Sequence, residues 1–297
     1  MISYIGELSA LLTAFLWSGS SFAFTAAAER LSSLQLNINR IFIAAIFLYA
    51  TIVLSGIQFS VSTTQVYYLA LSGFIGLVFG DTFLFKAYQH VGARIGMLLM
   101  ALSPAMSAVL AYIFLKEYLS FWGIVGMLIT MSGIALVIFE RNETPASKYK
   151  ISKAGIFFGL MGALGQAGGL IFAKIAFNLG TINGFLATFI RIVAAFLIMF
   201  PFSFAIRRFQ NPFKFYAKDL KALTFTIAGT IFGPYLGITF SLIAVEYTKV
   251  GIASTLMSMM PIIMLPIVRY YYKEKLKWRS IIGAIIAVGG VSILFLR

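Results

Sequence analysis

Few groups in this chain can do chemistry, and Asp81 is the most conspicuous. It stands inside the apolar run FIGLVFGDTFLF, where a carboxylate has little water to solvate it and needs a cation, a cavity or a proton. On a helix it shares a face with Leu77, Leu84, Phe85 and Tyr88, which would put the acid and the Tyr88 phenol on one wall. Such a group suits a counter-charge to a cationic or zwitterionic ligand, or a proton-coupling site. A structural pair with a nearby Arg or Lys, or a helix-end cap, accounts for it as readily.

Arg40 and Arg191 each open an apolar helix, RIFIAAIFL and RIVAAFLIM. Two guanidiniums facing one cavity would favour a carboxylate or phosphate. A repeated structural task, capping a helix or snorkelling to headgroups, explains their duplication more simply. Lys174 is a third cation of this kind, with snorkelling as its plain alternative. Gln166, Trp17 and Tyr235 offer hydrogen-bonding and stacking groups, and interfacial anchoring is the alternative for the aromatics. Met97, Met100, Met257, Met259 and Met260 could line an adaptable cavity or fill a core. Pro104 and Pro261 each remove a backbone hydrogen bond in mid-span and are expected to bend their helices. Glu246, Lys249, Glu117 and Glu274 read as solvated interfacial charges.

With no cysteine and His90 as the one histidine, thiolate metal sites, disulfides and Cys/His catalysis are excluded. No nucleotide-binding loop is present, so ATP is not the driver and no cofactor is implied.

The elements that must position these residues are membrane spans. Apolar residues make up 61% of 297 and charged ones 11%, against about 45–50% and 25% in soluble domains. Apolar runs lie near 5–27, 36–56, 66–88, 92–115, 119–139, 154–176, 183–206, 220–246, 250–272 and 278–296. Each is near the roughly 20 residues that cross a bilayer as a helix. The first run follows no basic leader and is longer than a signal-peptide core, so it is expected to remain as a span. The fold class is therefore all-α and polytopic, with ten spans.

The chain also repeats. A shift of 157 residues places Gly76, Gly80, Thr82, Phe83 and Pro104 on Gly233, Gly237, Thr239, Phe240 and Pro261. It also places Lys116, Glu117, Gly126 and Gly133 on Lys273, Glu274, Gly283 and Gly290, whereas Asp81 falls on Ile238. Arg40 and Arg191 correspond after a small gap. The reading is a first repeat over 1–140, a linker over 141–153 and a second repeat over 154–297. Five spans is an odd number, so the second repeat enters the membrane from the opposite side, an inverted arrangement common in secondary transporters.

Trp17-Ser18-Gly19 in the first span, the basic residue opening the second, and GARIGMLLMALSPAMSAVLAYIFLKEYLS in the fourth resemble the EamA repeat of the drug/metabolite transporter superfamily. VGIASTLMSMMPIIMLPIVRYYYKEKLK is a similar second copy, and the resemblance covers essentially the whole chain. It implies a transporter with a cavity lined mainly by helices 1, 3, 4, 6, 8 and 9, with helices 5 and 10 peripheral. The function it implies is secondary transport of a small metabolite (amino acid, amine or organic anion) by alternating access. A lipid flippase or scramblase is the second reading. An intramembrane enzyme is a third, disfavoured by the lack of paired acids or a Ser/His constellation.

The implied partners are a small-molecule substrate, the lipid bilayer and a coupling proton or ion, and the implied location is the cell membrane. Net charge +14 does not call for nucleic acid, because the basic residues flank spans. Only Lys116, Lys174, Lys249 and Arg297 fall on the face of the two termini, with Arg40 and Arg191 in or near the membrane and the rest opposite. The positive-inside rule then puts the termini outside, although the resemblance implies cytoplasmic termini in relatives.

Overall fold

The computed structural model describes residues 4–28, 30–140, 152–205, 211–270 and 278–296. Most of the linker, and Lys273 and Glu274, lie outside the described residues, as do the side chains of Tyr88 and Gly92 to Ile95.

α1 (Ile5–Ala28) and α2 (Ser33–Leu54) form the first two spans. α3 (Thr63–Gly73) runs through a π-helical segment, Phe74–Gly80, into α4 (Asp81–Met100). α5 (Ser103–Leu110) continues through a second π-helical segment, Ala111–Leu115, and α6 (Phe121–Glu140) completes the first half. The second half holds α7 (Lys153–Asn178), α8 (Gly184–Ala205), the short α9 (Pro212–Tyr216) and α10 (Leu220–Thr230). A π-helical segment, Ile231–Tyr235, joins α10 to α11 (Leu236–Tyr247), and α12 (Val250–Met257), α13 (Met260–Tyr270) and α14 (Trp278–Leu296) follow.

Among the described residues, 9 helices are long and apolar enough to cross a membrane, and Val250–Pro266 is a shorter apolar stretch. Large apolar side chains such as Leu54, Phe121, Ile285 and Leu296 stand on the outside, as a lipid-facing surface requires. Backbone groups at the helix starts are capped by side chains. Ser62 and Gln65 form a capping box at α3, and Ser152 and Asp219 cap α7 and α10.

α4 serves two spans. Val91 lies against Gly155 and Leu99 lies against Gly159, so the chain reverses between them relative to α7. The first part of α4 completes the third span and its last turns begin the fourth.

The halves pack by exchanging partners. α1 packs on α10 and α11 of the eighth span, as α7 packs on α3 and α4 of the third. α2 packs on α8, α5 on α12 and α6 on α14. Each pairing maps onto itself or another when the halves are swapped, which is the contact pattern of a two-fold relation. Equivalent glycines permit it: a Cβ on Gly133 would lie 2.5 Å from the Gly283 carbonyl, and one on Gly290 would lie 2.7 Å from the Gly126 carbonyl. Small residues let helix backbones meet in a lipid environment where burial alone gives little drive.

The local irregularities repeat as well. The π segments starting at Phe74 and Ile231 are 157 residues apart, as are the helix breaks at Ala101 and Ser258. Pro104 and Pro261 sit in the first turn after those breaks rather than bending an unbroken helix. At a helix start the missing proline N–H would have no intrahelical partner in any case. Both spans are thus interrupted within their length, and Ser18 donates a 3.2 Å hydrogen bond to the Met260 carbonyl at one interruption.

Candidate functional site

These interruptions border a central cavity of about 340 Å³. Trp17, Asp81, Arg40, Arg191, Gln166 and Pro261 line it, while Tyr235, Lys174 and Pro104 do not. Most of the wall is apolar, with Leu77, Met97, Met100, Met257 and Met260, and Ser20, Ser103 and Ser254 add hydroxyls. Met259 is instead packed in the core. Ile134 and Ile138 bring α6 to the wall, and Arg40 and Arg191 bring α2 and α8, beyond the six helices the sequence resemblance implied.

Glycines hold α1 against the eighth span along this wall. Phe24, Ser20 and Trp17 lie on Gly229, Gly233 and Gly237, one turn apart. Any larger residue at Gly237 would meet the Trp17 indole at 2.6 Å. On the opposite wall Gly165 and Gly169 of α7 pack on Gly80 and Gly76, leaving Gln166 facing the cavity.

The two arginines are held differently. Arg40 Nη2 donates to Asp81 at 2.7 Å, Arg40 Nε donates to Asn37 Oδ1 at 2.7 Å, and the guanidinium lies 5.4 Å from the Phe24 ring centre. Arg191 is only 2% exposed and makes no ion pair or side-chain hydrogen bond among the described residues. Its Nη2 lies where a Cβ on residue 76 would come within 2.5 Å, so Gly76 makes room for it. The buried polar atoms lacking a partner among the described residues are Arg191 Nε and Ser103 Oγ, and both residues line the cavity.

Lys174 belongs to a different place. Its Nζ donates to the carbonyls of Val245 (2.7 Å), Glu246 (3.0 Å) and Thr248 (3.3 Å) and lies 3.9 Å from Glu117 Oε1. Glu117 Oε2 accepts from the Val250 N–H at 2.8 Å, Lys249 donates to the Tyr118 carbonyl, and Thr248 donates to Glu7 at 2.9 Å. The Lys174 bonds to carbonyls lie within the second half, whereas the Glu117, Lys249 and Glu7 contacts tie first-half segments to second-half segments at the end where α1 begins. Glu117, expected as an ordinary solvated charge, is a cross-half ligand instead. No sequence signal joins it to Lys174, since the two are far apart in the chain. Tyr235 turns away from the cavity, its hydroxyl 2.8 Å from Thr51 and its ring between Phe47 and Phe185.

Along α1, α2 and α6 the lining residues fall toward the ends opposite the termini: Phe24 in α1, Arg40 in α2 and Ile138 in α6. In the second half Ser241 of α11 and Ser254 of α12 carry the lining toward the tied end, so the cavity lies between the Lys174 and Glu117 ties and the opposite face. The model of the EamA-like transporter family matches residues 4–139 and again 153–296.

The chain belongs to the EamA-like transporter family.

This EamA chain is an all-helical polytopic membrane protein with two EamA repeats, in a family of transporters rather than enzymes. No curated protein sequence matches it. A solved structure, described only as the crystal structure of a protein, superimposes with a TM-score of 0.78 at 15% identity, covering 98% of this chain and 96% of the other. That likeness is one of fold.

Proposed function

We propose that this protein is a secondary active transporter that moves a small metabolite across the cell membrane by alternating access through the central cavity. The observation that carries the reading is the central cavity between two repeats whose helices pair by exchange. If the repeats are inverted, swapping their two packings closes one side and opens the other around the same residues. Two features supply the necessary parts: cross-half ties from Glu117 to Lys174 and Val250, from Lys249 to Tyr118 and from Thr248 to Glu7 that can break as a set, and helix interruptions at Ala101 and Ser258 where helices can reorient.

Read by the positive-inside rule, the tied end is outside and the cavity faces the cytoplasm. The Arg40–Asp81 pair is the candidate coupling site, because a proton on Asp81 would release Arg40. The test is saturable flux in proteoliposomes with a panel of amino acids, amines and organic anions, with and without a proton gradient. The absence of saturable flux for every solute would remove the reading, and unchanged flux and pH profile in Asp81→Asn would remove the coupling role.

A further inference from the structure

The charges in the cavity do not balance, and the repeat explains why. In the first half Arg40 of α2 meets Asp81 at the start of α4. The second half keeps the arginine, Arg191 of α8, but the position corresponding to Asp81 is Ile238, which also lines the cavity. Of the described lining residues, two arginines and one aspartate carry charge. Asp81 is hydrogen-bonded to Arg40 and acts on Arg191 only through space, so one carboxylate faces two guanidiniums and the cavity keeps an excess of one positive charge.

A guanidinium cannot shed its proton to escape this cost, as a lysine can. An unpaired buried charge is strongly unfavourable, so the arrangement asks for an anion from outside the chain. The number of charges sets its valence. One unmatched cation is neutralised by one negative charge, and the planar fork of a guanidinium matches a carboxylate in two parallel hydrogen bonds. Ser103 Oγ, the other partnerless buried polar atom, supplies a further hydroxyl on the same cavity wall. The remaining wall of Leu, Met, Ile and Trp side chains suits an apolar body, and about 340 Å³ is at the lower end of ligand-pocket volumes.

We infer that the cavity binds a small organic monocarboxylate with an apolar body, its carboxylate on Arg191. The inference rests on reading this cavity as the transport site and names the class of solute that site takes. Asp81 is hydrogen-bonded to Arg40 and not to Arg191, and so leaves the Arg191 fork open to receive the ligand.

The experiment uses the full chain in nanodiscs. Trp17 serves as the fluorescent reporter after the two exposed tryptophans are replaced, Trp122→Phe and Trp278→Phe. Acetate, hexanoate and benzoate are titrated beside acetamide, hexanamide and benzamide. The expected result is saturable binding of hexanoate and benzoate at least tenfold tighter than their amides. Ile238→Asp, which restores the acid that the second repeat lacks, should weaken benzoate at least tenfold without removing Arg191. Gly76→Ala, which pushes on the guanidinium, should weaken it as well, and Arg191→Lys should keep part of the affinity. Carboxylates that bind no better than their amides overturn the inference, as does full benzoate affinity in Ile238→Asp.

Flux in proteoliposomes separates this result from the underlying reading. Saturable transport of an amine or neutral solute without carboxylate binding leaves the transporter and removes the anion site. Carboxylate binding with no flux of any solute leaves the anion site and removes transport.

Discussion

Arg40 of α2 and Asp81 of α4 form a 2.7 Å ion pair on the cavity wall, each side chain 19% exposed. The pair is satisfied further by Asn37, which accepts from Arg40 Nε. Removing one partner leaves the other in a mostly apolar wall. Asp81→Asn should therefore lower stability by about 2 kcal/mol, less than the 3–5 kcal/mol lost when fully buried pairs are broken. The double variant Arg40→Gln/Asp81→Asn should be more stable than Asp81→Asn alone. Thermal unfolding of the three proteins in nanodiscs checks this, and strictly additive losses would show that the two residues act independently.

The α7 contact with the third span depends on glycine. A Cβ at residue 165 would lie 2.6 Å from the Gly80 Cα, backbone that cannot rotate away. Gly165→Val should force the helices apart and cost about 1–3 kcal/mol through overpacking. Gly289, where a Cβ meets nothing within 4 Å, is the control: Gly289→Val should change the unfolding temperature little. Equal effects at both positions would contradict the packing account.

At the tied end, Lys249 donates to the Tyr118 carbonyl and Glu117 accepts from the Val250 N–H at 2.8 Å. The chain has no cysteine, so Tyr118→Cys/Lys249→Cys can be joined without background by a bifunctional maleimide with a reducible spacer. The cross-link should abolish flux, and reduction should restore it. Full flux in the cross-linked protein would mean that this end never opens.

On the opposite face, Asp219 accepts from the Ala222 N–H at 3.0 Å and from Arg30 at 2.8 Å. The Ala222 hydrogen bond first, and the Arg30 guanidinium next, hold its carboxyl below the ordinary carboxylate range. A depressed folded value means that the stabilisation is present above the unfolded pKa of about 3.9 and is lost as pH falls through the folded value. Amide exchange in the first turn of α10 should thus be equally protected at about pH 7 and pH 5 and should rise only below about pH 4. Loss of protection already by pH 5 would count against the cap.

The architecture was legible because spans and repeats are written in hydropathy and in glycines at fixed separation. The match of Gly76 and Gly80 to Gly233 and Gly237 marked the positions that pack on α7 and α1. Asp81 and the two arginines were found by the cost of charge in apolar runs, but their partners were not, since Arg40 reaches Asp81 across 41 residues of chain. The π segments and the helix breaks before Pro104 and Pro261 depend on tertiary packing, so the sequence suggested bends instead. Tyr235 carries the right chemistry on the right span, yet its hydroxyl pairs with Thr51, and a single turn of helical phase decides which way it faces. Lys174 read as a cavity-facing or snorkelling cation and Glu117 as a solvated interfacial charge, because only the fold brings the end of one half to the other.

Alternating access itself is tested by asking from which side one cavity residue can be reached. Met100 lines the cavity, and Met100→Cys supplies a lone thiol in a cysteine-free chain. In oriented proteoliposomes a membrane-impermeant maleimide should label it from either face. The Tyr118→Cys/Lys249→Cys cross-link, closed first and with Met100→Cys added, should confine labelling to the face opposite the termini. Labelling of Met100→Cys from one face only, whether or not the tied end is locked, would contradict a cavity that opens to both sides in turn.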